Sequence, residues 1–194
     1  MDRRLMNWHF ENPEHVDLLR DEAARWLGIH PATGARVSKT TPFRPFSRAI
    51  GPGGGIDCVG LAEQLMLASR VIGPNEFIFP RHAADYQSNA LYKKVLDYLR
   101  GGHPDPQSAR LASIFAEIDL PEEKTNLPTR LFLPGDILIL SQAGAGGALF
   151  HVPIMLAPPG FVDCHAPAGV GEGNIHDTTF SDYLEALFRA RARV

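Results

Sequence analysis

The chain has 194 residues, of which 44% are hydrophobic and 21% charged, the composition of an ordinary globular domain. That length suffices for one well-formed core and is short for two domains, so 1–194 reads as a single domain. A formal net charge of −3 gives no electrostatic case for nucleic acid or an anionic membrane surface as partner, and two cysteines do not make a disulfide framework.

In chain order, residues 1–15 read as an N-terminal extension. Met1 to Phe10 lacks an apolar run long enough for a signal peptide, and no segment approaches the ~20 apolar residues of a membrane span. Three alternatives follow: a cytoplasmic protein, a virion-associated one assembled in the cytoplasm, or an exported one trimmed of its signal. Val16 to Leu27 is predicted helical, with Val16, Leu19, Ala23, Trp26 and Leu27 on one face and Gly28 closing it. Residues 29–52, with Pro31, Pro42 and Pro45, form a long loop that either covers a cleft or runs over the surface.

The run Gly53-Gly54-Gly55-Ile56-Asp57-Cys58 then opens an apolar helix through Leu61, Ala62, Leu65 and Ala68, stopped by Gly73-Pro74. Asp57 is its N-cap. Residues 74–130 read as a mostly helical insertion, with helices over Ala83–Arg100 and Pro106–Ile118 broken at Gly101-Gly102-His103-Pro104. Pro134-Gly135-Asp136 is turn chemistry before a short apolar strand, Ile137–Leu140. A glycine-rich loop leads into Leu149–Leu156, and Pro158-Pro159-Gly160 turns the chain into Phe161–Ala166. The pattern predicts a three-stranded meander with His151 at the start of its second strand and His165 on its third. Pro153 removes a ladder donor and predicts an edge position or a bulge there. Ser181 to Phe188 has helical character, yet Phe188, Ala190, Ala192 and Val194 alternate with Arg189, Arg191 and Arg193. Alternation predicts a last sheet strand whose arginines form a solvated edge face.

Chemistry concentrates at Cys58. In the first turn of a helix, unpaired N–H groups and the helix dipole are expected to stabilise its thiolate. Two histidines on neighbouring strands then make a Cys–His–His relay, in which a base takes the thiol proton and a third group orients the base. Rival assignments remain open. Cys164 could be the nucleophile, but alternation sends Cys164 and His165 to opposite faces, so Cys164 faces away if His165 faces the cleft. A metal site from Cys58, His151, Asp163 or Cys164, and His165 lacks a short-spaced ligand pair. His30, His82, His103 and His176 lie in predicted loops and read as surface residues.

Asp57-Cys58-Val59-Gly60-Leu61, Pro134-Gly135-Asp136 before an apolar strand, His151-Val152, and Val162-Asp163-Cys164-His165-Ala166 resemble, in that order, the NlpC/P60 cysteine peptidases. Trp26-Leu27-Gly28 and Thr41-Pro42-Phe43-Arg44 resemble that family's lead-in to the cysteine, in the form found in phage and gene-transfer-agent tails. The resemblance implies an α+β, papain-like fold with the catalytic helix packed on an antiparallel sheet. It implies a cysteine hydrolase of peptidoglycan stem peptides, of the D-glutamyl–diaminopimelate endopeptidase type, needing no cofactor and no metal. Carried over, Cys58 is the nucleophile, His151 the base and His165 the orienting member. Cys58 and Asp57 would serve the oxyanion or the substrate. Phe43 stands where many members have a tyrosine. Pro80-Arg81 with Gln87 resembles a substrate-bordering segment in which Ala83 replaces a common serine, so Arg81 and Phe43 are further substrate-binding positions. The expected partner is a peptidoglycan peptide or related small peptide, with phage tail proteins as further candidates. A different thiol acyl-transfer enzyme (amidase, deacylase or transpeptidase) and a non-catalytic tail or envelope component are the alternatives.

Overall fold

A computed structural model describes residues 8–28, 56–74, 76, 91–124, 126–142, 149–165, 169–177 and 180–192. The helices are α1 (Pro13–Trp26), α2 (Cys58–Ala68), α3 (Leu91–Arg100), α4 (Pro106–Ile114) and the short α5 (Phe180–Tyr183). The strands are β1 (Phe115–Glu117), β2 (Ile137–Gln142), β3 (Leu149–His151), β4 (Ile154–Ala157), β5 (Gly160–His165), β6 (Gly169–Asn174) and β7 (Leu184–Ala190). All pair antiparallel in one sheet of order β1-β7-β2-β4-β5-β6, with β3 also on β2. This is the α+β architecture expected, with the cysteine helix on an antiparallel sheet. No helix among the described residues is long and apolar enough to cross a membrane.

Local chemistry sets the helix starts. Asn12 caps α1 by accepting from Glu14 N–H at 3.0 Å, with Pro13 pre-set at the first position. Asp57 caps α2 by accepting from Gly60 N–H at 2.6 Å. Inside α2, Leu61, Ala62, Leu65 and Met66 are fully buried. α2 is therefore a central helix, packed between α1 and β5.

The sheet is covered on both faces. Ile137, Ile139, Ile154, Val162, Ala186 and Phe188 join the cluster that contains α1 and α2. Their strand neighbours Leu138, Met155, Phe161 and Leu187 join a second cluster with Phe132 and Phe180. Burial on both faces explains why Ile137-Leu138-Ile139 is apolar without alternation.

Three expectations need correction, and one strand, β6, adds to the predicted meander. The second meander strand is split, because Pro153 has no N–H to give the ladder. β3 ends at His151 and β4 begins at Ile154, both pairing with β2. His151 therefore closes a short strand instead of opening a long one. The helix expected to reach Ile118 stops at Ile114, since Phe115–Glu117 is captured as β1 by β7. Gly169–Asn174 forms β6, which its three glycines had hidden. Finally, β7 is an interior strand between β1 and β2, and Arg189 in it and Arg191 just beyond it are not a solvated face, while Arg193 lies outside the described residues. Arg189 donates through Nε and Nη2 to the two carboxylate oxygens of Asp136, both at 2.7 Å, and to Leu131 O. Arg191 donates to the carbonyls of Ala112, Ser113 and Phe115 at the end of α4. α5 precedes β7, so the helical and the alternating readings of the C-terminal stretch each describe part of it.

The loop 29–52, Pro80 to Ala90 and the glycine run 53–55 lie outside the described residues.

Candidate active site

Cys58 is the first residue of α2, directly after the Asp57 cap. The backbone N–H of Val152, the residue that follows His151 across the β3–β4 break, is near enough to favour the ionised form of its Sγ. The His151 ring is partly exposed, and its Nδ1 lies 3.1 Å from Oδ2 of Asp163, a side chain only 1% exposed. The other Asp163 oxygen accepts from the backbone N–H of Cys164 at 2.7 Å.

Asp163 is the residue that reading the sequence for histidines overlooked. It appeared there only as a possible metal ligand, whereas here it meets the ring of His151. The available signal was a carboxylate in the middle of an apolar strand, Phe161-Val162-Asp163-Cys164, which burial makes costly unless a partner is present. His165 lies at the end of β5, two residues beyond Asp163, with its side chain outside what is described. Phe43 and Arg81 lie outside the described residues.

Cys164 does not turn away from the cysteine helix. It is buried with Val162 in the cluster that packs on α2, and its Sγ donates to Ile56 O at 3.0 Å. Its thiol is pushed up to about 12, by desolvation first and then by Asp163 and Asp57.

The electrostatics of Cys58 reverse a sequence expectation. Its thiol is held well above the ordinary range, chiefly because surrounding protein desolvates it. The negative charges of Asp163 and then Asp57 push in the same direction, and the Val152 N–H opposes them. The Asp57 carboxyl is also raised by burial, against the N–H groups of Gly60 and Val59 that it caps. Among the described residues, no group of three or more His, Cys, Asp or Glu side chains is arranged to hold a metal ion.

Chemically, the arrangement offers a thiol at a helix start and, on the sheet, an imidazole with a buried carboxylate 3.1 Å from its Nδ1. No family model matches the chain, and no curated protein is significantly similar to it. Solved structures do resemble it. A lipoprotein-like protein of the NLP/P60 family from Staphylococcus aureus superposes with a TM-score of 0.53 at 16% identity, over 100% of this chain and 46% of the other. An NlpC/P60 family protein from Bacillus cereus gives 0.46 at 15% identity, over 89% and 39%. The chain thus spans less than half the length of either protein. Its α+β fold, helices packed on an antiparallel sheet, is similar to that of the staphylococcal NLP/P60 structure.

Proposed function

We propose that the chain is a cysteine hydrolase that cleaves an amide bond in peptidoglycan stem peptides, of the D-glutamyl–diaminopimelate type. The observation that carries the chemistry is the 3.1 Å approach of Asp163 Oδ2 to His151 Nδ1, one residue from the N–H that favours the ionised form of Cys58. The peptidoglycan substrate rests on the motif resemblance and on the fold shared with the staphylococcal protein.

With Nδ1 turned to a carboxylate, that nitrogen carries the ring proton and Nε2 is the basic nitrogen. Because Cys58 is held protonated, attack and proton transfer are coupled. His151 Nε2 takes the Sγ proton as Sγ adds to the scissile carbonyl carbon. The oxyanion is met by N–H groups at the start of α2, a contact worth about 3–4 kcal/mol per donor in other hydrolases. The protonated ring then gives its proton to the leaving amine, the C–N bond breaks, and a thioester remains. Water adds to the thioester with His151 as base, and the proton returns to Sγ as the acid product leaves. The Asp163 carboxylate stabilises the imidazolium formed midway. His165, assigned the orienting role by resemblance, is the competing third member.

The test is incubation with purified muropeptides and identification of the products by mass. Hydrolysis at one stem-peptide amide by the wild-type chain, absent in Cys58→Ala, is the expected result. Intact muropeptides after prolonged incubation with wild type across pH 5–9 would overturn the reading.

A further inference from the structure

We infer that Cys164 is a positioning residue for the Cys58 nucleophile, acting through its hydrogen bond to the carbonyl of Ile56; this deepens the hydrolase reading and rests on it.

Among the described residues, few polar contacts hold the start of α2. Asp57 Oδ1 takes the Gly60 N–H at 2.6 Å, which fixes the cap to its own helix but not to the sheet. Among the described residues, two polar groups of the strands reach this turn, beside its apolar packing on the sheet. One is the Val152 N–H near the Cys58 sulfur, an approach that attack on a substrate must give up or stretch as that sulfur forms a new bond. The other is the Cys164 Sγ–H donated to Ile56 O at 3.0 Å. It touches no reacting atom, so it persists through the reaction. Ile56 is itself 1% exposed, and its carbonyl orients the peptide plane that leads into Asp57 and then Cys58.

The same strand holds the base. Asp163 faces the His151 ring at 3.1 Å, and its second oxygen binds the Cys164 N–H at 2.7 Å. One dipeptide of β5 therefore contacts the base through its first side chain and the nucleophile turn through its second. A rigid strand between them sets the spacing at which sulfur and imidazole must meet. Misplacement of reacting groups by about 1 Å can cost up to 10²-fold in rate. A cysteine suits this position because it is small, apolar enough for the α2 core and still a hydrogen-bond donor.

The experiment compares Cys164→Ala, Cys164→Ser and Cys164→Val with wild type on purified muropeptides, beside peptide-resolved alkylation of Cys58 by iodoacetamide across pH 6–10. Loss of the donor in Cys164→Ala is expected to lower kcat about tenfold with KM within about twofold. It should also change the pH profile of Cys58 alkylation. Cys164→Ser restores the donor and should recover both readouts, while Cys164→Val fills the space, retains the thermal midpoint and should not. Wild-type kcat and an unchanged Cys58 profile in Cys164→Ala would overturn the inference, as would equal impairment of the serine variant at an unchanged thermal midpoint. If wild type cleaves no muropeptide, the substrate assignment fails, and the alkylation profiles alone decide whether Cys164 positions Cys58.

Discussion

Asp163 and Cys164 are neighbours in the chain but serve different partners, and this separates the roles that mutation should reveal. Asp163→Asn keeps the shape and removes the charge, and an amide oxygen or nitrogen beside Nδ1 no longer enforces one tautomer. We expect kcat to fall by about 10²–10⁴, the range for a disabled general base, while His165→Ala stays within a few-fold. Steady-state rates on muropeptides check this, and a dead His165→Ala with an active Asp163→Asn would return the orienting role to His165. Cys58 carries a second expectation at this scale. Burial and nearby acids raise its thiol, so the thiolate fraction is small near pH 7 and grows only as pH climbs. Alkylation by iodoacetamide should be slow at neutral pH and accelerate through pH 9 and beyond. A rate already at plateau below pH 7 would show that the helix dipole prevails after all.

At the scale of elements, the turn Pro134-Gly135-Asp136 is held from two directions. Gly135 has φ +77°, and a Cβ there would run into the Phe10 ring. Beside it, Asp136 is fully buried against Arg189 of β7, whose guanidinium lies 5.4 Å from the Trp8 ring centroid. Arg189→Ala would strand a buried carboxylate and an acceptor carbonyl, for a loss of about 3–5 kcal/mol. Arg189→Lys should recover little, since an ammonium cannot make the paired contacts. Gly135→Ala should destabilise through both strain and collision. Chemical denaturation reads all three, and an unchanged midpoint in Arg189→Ala would remove the pair from the account of the fold. These elements also mark how far the sequence could be read. Helices α1 and α2 were legible because caps and apolar periodicity are local, and β2 because a short apolar run sits between turn signals. Long-range capture was not legible. Arg189 and Arg191 alternate as an edge strand would, yet what fixes them as interior is Asp136, 53 residues away, and the end of α4. Likewise β1 continues a helical pattern until β7 pairs with it, and Asp163 could be matched to His151 only once β3 and β5 were side by side.

The whole molecule carries two buried or partly buried thiols whose protons the fold retains. For Cys164, held near 12 against about 8.5 in an unfolded chain, the folded state keeps a proton that the unfolded state loses as pH rises. Stability is therefore full below about pH 8.5 and declines above it, by about 1.4 kcal/mol per pH unit for this one group until its folded value is reached. Urea midpoints at pH 7.5 and 9.5 should differ accordingly, with a shallower decline in Cys164→Ser. A flat dependence between those two values would mean that the thiol ionises in the folded protein.

The interior place of β7 has a consequence for how the protein comes into being. Synthesis delivers β2, β4, β5 and β6 first, and β7, at 184–190, must then slot between β1 and β2. Until residues beyond Leu184 leave the ribosome, Asp136 lacks its arginine, β2 presents an open edge and the end of α4 lacks its Arg191 contacts. Such late, long-range closure is slow and leaves apolar strand edges exposed. The nascent chain therefore cannot complete its fold piece by piece, and the sheet closes only after β7 has been made. A chain ending at Tyr183 should accordingly fail to give a cooperative unfolding transition, and a sharp one would show that the sheet closes without its central insert.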